Sequence, residues 1–218
     1  MLFRSIANLA TIDIDGSTVA DNSAARGGGL DNERTMTVTD TQVTGNAAVG
    51  GAGASSSANE GGGINNGAGT LTVTGCTIAG NSAGRGGGLY NDFAATANVD
   101  SSTVSGNSAG AGGGDIANDG TMTVDRSTLG ADAVRDPGGF IRNGAGSLTI
   151  VGGHISSRIR HGIVRDGGTV KIIQSDSHGS ARHHQLGHAH GRPHHLRKPV
   201  GHPRTNAAGM VTGATHRD

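Results

Sequence analysis

Asp100 and Asp125 are the side chains of this sequence best spaced to do chemistry together. Each closes the same short phrase, Asn98-Val99-Asp100 and Thr123-Val124-Asp125, and they stand 25 residues apart. Two carboxylates held close share a proton or a divalent cation, the chemistry of acid/base glycoside cleavage or of calcium binding. Asp15 holds the same place after Ile14, but Thr39 and Thr74 take it in the phrases between. The plainer reading of Asp100 and Asp125 is a pair of solvated outward aspartates. A second candidate is the histidine-rich stretch carrying His183, His184, His188 and His190, since neutral imidazoles ligate transition metals. Its spacing fits no defined metal site, and neighbours such as Arg182, Arg192 and Lys198 offer only diffuse attraction to anionic surfaces, with no specific nucleic-acid motif. No cofactor motif occurs. The single Cys76 excludes an internal disulfide and occupies a place that Ser17, Thr41, Ser102 and Ser127 fill elsewhere, as a small wall residue does.

The elements that must position these residues are written in a two-part phrase recurring about every 25 residues. One part is Gly-Gly-Gly-apolar-x-Asn: Gly27 to Asn32, Gly61 to Asn66, Gly86 to Asn91, and Gly112 to Asn118 with one extra residue. Weaker copies are Gly138-Gly139-Phe140-Ile141-Arg142-Asn143 and His161-Gly162-Ile163-Val164-Arg165-Asp166. The other part is Thr-apolar-Thr-Val, as in Thr35 to Val38, Thr70 to Val73 and Thr121 to Val124, with a further aliphatic residue five places on (Val43, Ile78, Leu129). Equivalent positions Ile14, Val38, Val73, Val99, Val124, Ile150 and Ile172 are separated by 24, 35, 26, 25, 26 and 22 residues. The long step holds an Ala/Gly/Ser stretch at 49–59, an inserted loop.

Apolar and polar residues alternate in runs of three to five, which is strand periodicity. Units this short cannot bury an apolar face alone and must stack. The chain is therefore expected to be all-β: a right-handed parallel β-helix solenoid of about six coils over residues 1–176, followed by a disordered C-terminal tail. Stacking should align Leu30, Ile64, Leu89, Ile116, Ile141 and Val164 in one interior column, and Val38, Val73, Val99, Val124, Ile150 and Ile172 in another. It should place Asp100 and Asp125 on adjacent coils, about 5 Å apart at the backbone. Asn22, Asn46, Asn81 and Asn107 recur at one corner, and Asn8, Asn32, Asn66, Asn91, Asn118 and Asn143 at another. Such residues tolerate left-handed backbone and form side-chain ladders.

Composition agrees with a narrow interior: three Phe, one Tyr and no Trp accompany 41 Gly that lack a collagen period. A formal net charge of zero hides an asymmetry, because residues 177–218 carry six basic and one acidic side chain and nine of the 11 histidines. After Ile173 the repeat does not resume, and 177–218 read as disordered or translated out of frame. No apolar run reaches 18 residues, so no membrane-spanning helix and no signal peptide are expected. Ile6-Ala7-Asn8 copies Ile116-Ala117-Asn118, so the chain opens in mid-coil. The expectation is a piece of a longer protein, or a gene with a misplaced start, whose exposed edges may be expected to self-associate.

From about Ile6 to Ile173 these phrases resemble the right-handed parallel β-helix repeats of bacterial surface and secreted proteins, within the broad pectate-lyase-like superfamily. The Gly-Gly-apolar plus Asn repeats are similar to those of polymorphic outer-membrane proteins and autotransporter passenger domains. The resemblance implies a secreted or cell-surface parent protein and a non-enzymatic scaffold or adhesin-like role, with glycans or other surface proteins as partners. The rival expectation is a fragment of a polysaccharide lyase or glycoside hydrolase acting on acidic polysaccharide, with Asp100 and Asp125 as its carboxylates. Arg158-Ile159-Arg160-His161-Gly162 resembles elements of polygalacturonase-like hydrolases, but the paired-aspartate motifs that precede them there are missing, so it reads as a degenerate repeat copy. Gly114-Asp115 is no calcium-binding nonapeptide, since the period is about 25 and not nine.

Overall fold

The computed structural model of the chain describes residues 5–50, 59–130, 140–156, 162–165 and 167–178. By contacts the chain divides into Met1–Gln185 and Leu186–Asp218, and the second unit lies outside the described residues, as does the expected tail from residue 179 onward. The regular structure among the described residues is strand, and its order is that of a parallel β-solenoid of about six coils.

Each coil contributes one strand to each of three seven-stranded sheets. The first sheet takes the end of the glycine phrase: Ile6–Asn8, Leu30–Asn32, Ile64–Asn66, Leu89–Asn91, Ile116–Asn118, Ile141–Asn143 and Ile163–Arg165. The second takes the threonine phrase, from Thr11–Asp15 through Thr35–Thr39, Thr70–Thr74, Thr96–Asp100, Thr121–Asp125 and Ser147–Val151 to Thr169–Ile173. The third runs from Thr18–Ala20 to Asp176–His178, which carries the pairing two residues past position 176. A fourth, shorter sheet of four two-residue strands (Ser23–Ala24, Ala47–Ala48, Ser82–Ala83, Ser108–Ala109) was not foreseen.

The pairing is parallel and in register, so like stacks on like. Val38 pairs with Val73, Val73 with Val99, Val99 with Val124, and Ile150 with Ile172. The coil containing the long step keeps this register, because Thr35–Thr39 still faces Thr70–Thr74 residue for residue. Its extra residues leave the stack after Ala48 and rejoin at Asn59, whose N–H donates to the Ala25 carbonyl. Of the loop expected at 49–59, residues 51–58 lie outside the described residues.

One expected column needs correction. Ile163, not Val164, continues Leu30, Ile64, Leu89, Ile116 and Ile141, and Val164 faces Arg142. The last step is three residues shorter than the repeat, and the strand slides to keep an aliphatic residue inward at Ile163. The interior is a single apolar stack of small and medium side chains, with Leu71, Ile78, Leu89, Leu129 and Leu148 fully buried.

The corners follow from backbone geometry. Left-handed backbone recurs after the second sheet at Gly16, Asp40, Gly75, Ser101, Arg126, Gly152 and Gln174, and again at Asp21, Gly45, Gly80 and Gly106. The ladder asparagines themselves are not left-handed; the residue before each of Asn22, Asn46, Asn81 and Asn107 makes the turn and leaves the amide free to point inward. At Gly62 a side chain is forbidden by contact, since a Cβ would run into the Gly87 and Ser82 carbonyls of the next coil.

Buried polar side chains are spent on three ladders. In the first, the Nδ2 of Asn8, Asn32, Asn66, Asn91 and Asn118 each donates to the Oδ1 of the next asparagine at 2.7–2.8 Å, ending on Asn143. In the second, Asn22, Asn46 and Asn81 donate up the stack at 2.9–3.0 Å to Asn46, Asn81 and Asn107. Asn107 then donates to the carboxylate of Asp115, whose other oxygen accepts the Gly130 N–H at 3.1 Å. In the third, the hydroxyl of Ser102 donates to the Asp100 carbonyl while accepting the Cys76 N–H at 3.0 Å, and Ser17, Thr41 and Ser127 act alike. Cys76 takes its place there through Sγ, as its position among Ser and Thr suggested.

Candidate functional site

Two places concentrate charged side chains. The first is the pair read from the sequence. Asp100 faces Asp125 directly across adjacent strands of the second sheet. Both stand on the outer wall, half-buried, next to the left-handed corner that holds Arg126. That backbone aims the Arg126 side chain back along the wall. One guanidinium nitrogen lies 2.6 Å from Asp100 Oδ1 and the other 2.5 Å from Asp125 Oδ2. Arg126 thus supplies the positive charge between the carboxylates, in the position a shared cation would take. Sequence spacing found the aspartates and missed their partner, although Arg126 follows Asp125 directly. Asp15 lies in the same column, separated from the pair by Thr39 and Thr74.

Around this pair the second sheet presents a wall of hydroxyls. Strands Thr35–Thr39 and Thr70–Thr74 each turn three threonines outward while Met36, Val38, Leu71 and Val73 fill the interior. In register they make rows about 4.8 Å apart across the strands. An open depression at the start of the stack is lined by Leu9, Ala10, Thr11, Arg34 and Thr35.

The second place lies on the first sheet and was not singled out from the sequence. The x position of Gly-Gly-Gly-apolar-x-Asn holds Asp31, Asn65, Tyr90, Ala117 and Arg142, which stack in one column. Arg85 pairs with the buried Glu60, sits 5.2 Å from the Tyr90 ring centre and reaches Asp119 at 3.6 Å. The Tyr90 hydroxyl donates to Asp119 Oδ2 at 2.9 Å. Burial pushes the Glu60 carboxyl up from its ordinary value, against the lowering pull of Arg85. Burial, and then the hydrogen bond to the Asp119 carboxylate, raise the Tyr90 hydroxyl far above the usual phenol range. Both groups are therefore held toward their protonated forms. Asn65 donates to Asp31 at 2.7 Å, and its buried Oδ1 accepts no hydrogen bond. The legible trace of this cluster was the x position itself, polar or charged in most copies.

Among the described residues, no group of three or more His, Cys, Asp or Glu is placed to hold a metal ion. His183, His184, His188 and His190 lie outside the described residues, as do Arg158 to His161. Burial also raises the Cys76 thiol, which keeps it protonated within its ladder. No protein-family model matches the chain, and no curated protein or solved structure matches it either.

Proposed function

We propose that the chain is a non-enzymatic scaffold, a segment of rod from an exported bacterial surface protein, whose outer walls serve as an adhesin-like interaction surface. The observation that carries this reading is the flat, repeated threonine wall of the second sheet, where the paired aspartates already hold an arginine between them. A hydrolase would need convergent carboxylates facing a groove that takes a sugar ring. Here the charges neutralise one another along the wall. Rows of hydroxyls and methyls at a fixed strand spacing suit extended, weakly bound partners such as glycan chains or the strands of other surface proteins. The glycine and asparagine phrases support an exported, pectate-lyase-like parentage for the repeat, and with it a secreted or cell-surface location.

The rival is cleavage of acidic polysaccharide by Asp100 and Asp125. Incubation with a panel of polyuronides and scoring of product release separates the two. The scaffold reading expects no release. Release that disappears in Asp100→Ala/Asp125→Ala, with the fold retained by circular dichroism, overturns it in favour of the enzyme. Glycan-array binding that weakens when Thr37 and Thr72 are both replaced by Lys is the positive expectation.

A further inference from the structure

Both ends of the described stack present open strand edges, and the two edges match. The first coil offers Ile6–Asn8, Thr11–Asp15 and Thr18–Ala20; the last offers Ile163–Arg165, Thr169–Ile173 and Asp176–His178. Each set reads three, five and three residues, in the same three sheets, and among the described residues each strand is paired on one side only. An open edge is a template for another strand.

The side chains at the two edges are complementary. The outward column of the second sheet runs Asp13, Thr37, Thr72, Asn98, Thr123, Thr149, Lys171. It is uncharged through the middle, begins with an exposed carboxylate and ends with an exposed ammonium. The two flanking inward columns begin with Ile12 and Ile14 and end with Val170 and Ile172, the last 47% exposed. We propose that a second copy of this chain stacks head to tail on the first. Thr169–Ile173 of one copy pairs in parallel with Thr11–Asp15 of the next, so that Lys171 meets Asp13 and Ile172 covers Ile14.

The backbone bonds across the joint follow from those inside the stack. At every internal step the first threonine or serine of a second-sheet strand donates its N–H to the residue preceding the equivalent strand one coil back, as Thr35 does to Ala10, Thr121 to Ala95 and Thr169 to Gly146. At the joint, Thr11 donates to the Gly168 carbonyl. Similarly, the left-handed corner donates forward, as Gly16 does to Thr39, Arg126 to Val151 and Gly152 to Ile173. The joint therefore has the Gln174 N–H donating to the Asp15 carbonyl. The contact is heterologous, so it does not close on itself and extends into fibres at high concentration.

This inference stands on the stacking geometry, and holds whether or not the wall is catalytic. Sedimentation velocity of the full chain over a concentration series should show dimers and longer assemblies. Asp13→Lys or Lys171→Asp alone should weaken association about fivefold or more, since each sets like charges opposite one another, and the Asp13→Lys/Lys171→Asp double variant should recover it. A monomer at every concentration overturns the proposal, and association indifferent to all three variants overturns the register. Cysteine pairing gives a second measure: Asp13→Cys mixed with Lys171→Cys should form a disulfide-linked dimer under mild oxidation, because adjacent parallel strands bring Cα atoms within bonding range. Cross-linking of Asp13→Cys to itself instead means a head-to-head contact and overturns the proposal.

Discussion

At the scale of single residues, burial sets which groups can react. Tyr90 is the one tyrosine in a chain without tryptophan, so its phenolate absorbance can be followed without interference. Its unfolded value is 10.0 and its folded value is higher. The stabilisation this represents is complete below pH 10 and declines as pH rises from 10 toward the folded value, because only the unfolded chain gives up its proton there. Alkaline titration should therefore show phenolate appearing together with loss of the strand circular dichroism; ionisation that precedes unfolding would contradict a buried Tyr90 donating to Asp119. Glu60 follows the same sign at acid pH. Its folded value lies above 4.5, so wild type is favoured over Glu60→Gln most below pH 4.5, and the margin shrinks as pH rises through the folded value. Urea midpoints of the two proteins at acid and neutral pH measure that margin. Cys76 should resist thiol reagents until the chain unfolds, and Cys76→Ser should shift stability by no more than about 1 kcal/mol, since a hydroxyl fits the ladder that Ser102 and Thr41 already form.

At the scale of elements, stability resides in the ladders as much as in the apolar columns. Asn66 sits mid-ladder, accepting from Asn32 and donating to Asn91 and to the Thr96 carbonyl. Asn66→Ala strands partners on both sides and should cost about 2–3 kcal/mol in chemical denaturation. Asn8→Ala, at the edge of the same ladder, should cost about 1 kcal/mol because only one neighbouring asparagine loses its partner. These ladders were legible in the sequence from recurrence alone, as were the strands and the columns from Val38 and Val43 onward. Two features were not. The side chain of Arg126 looks like an ordinary surface arginine until its left-handed backbone is known, and that backbone depends on the corner and not on the residue type. The end of the second ladder on Asp115 was equally hidden. One inserted residue after Gly114 brings a carboxylate to the place of an amide, and the fourth sheet stops at Ser108–Ala109, just before it.

At the scale of the whole stack, each coil is held chiefly by the coils above and below it, so protection should grade along the axis. Amide hydrogen exchange should be slowest in the coils from Ile64 to Asp125, flanked on both sides by well-matched neighbours, and fastest in Thr11–Asp15 and Thr169–Ile173. Uniform protection throughout would mean that the stack melts as one unit. The sliding of Ile163 into its column shows why the last coils were the least legible: with a 22-residue step, the phrase no longer counts residues correctly, and the need to keep an aliphatic side chain inward decides the pairing. The in-register pairing of Thr35–Thr39 with Thr70–Thr74 across a 35-residue step carries a genetic consequence. Because equivalent positions are interchangeable between coils, loss or duplication of one whole repeat by slippage during replication rejoins residues that already accept one another's neighbours. Such an event changes the reach of the rod by one strand spacing, about 4.8 Å, and leaves its wall chemistry intact. Length, for this molecule, is inherited in whole steps.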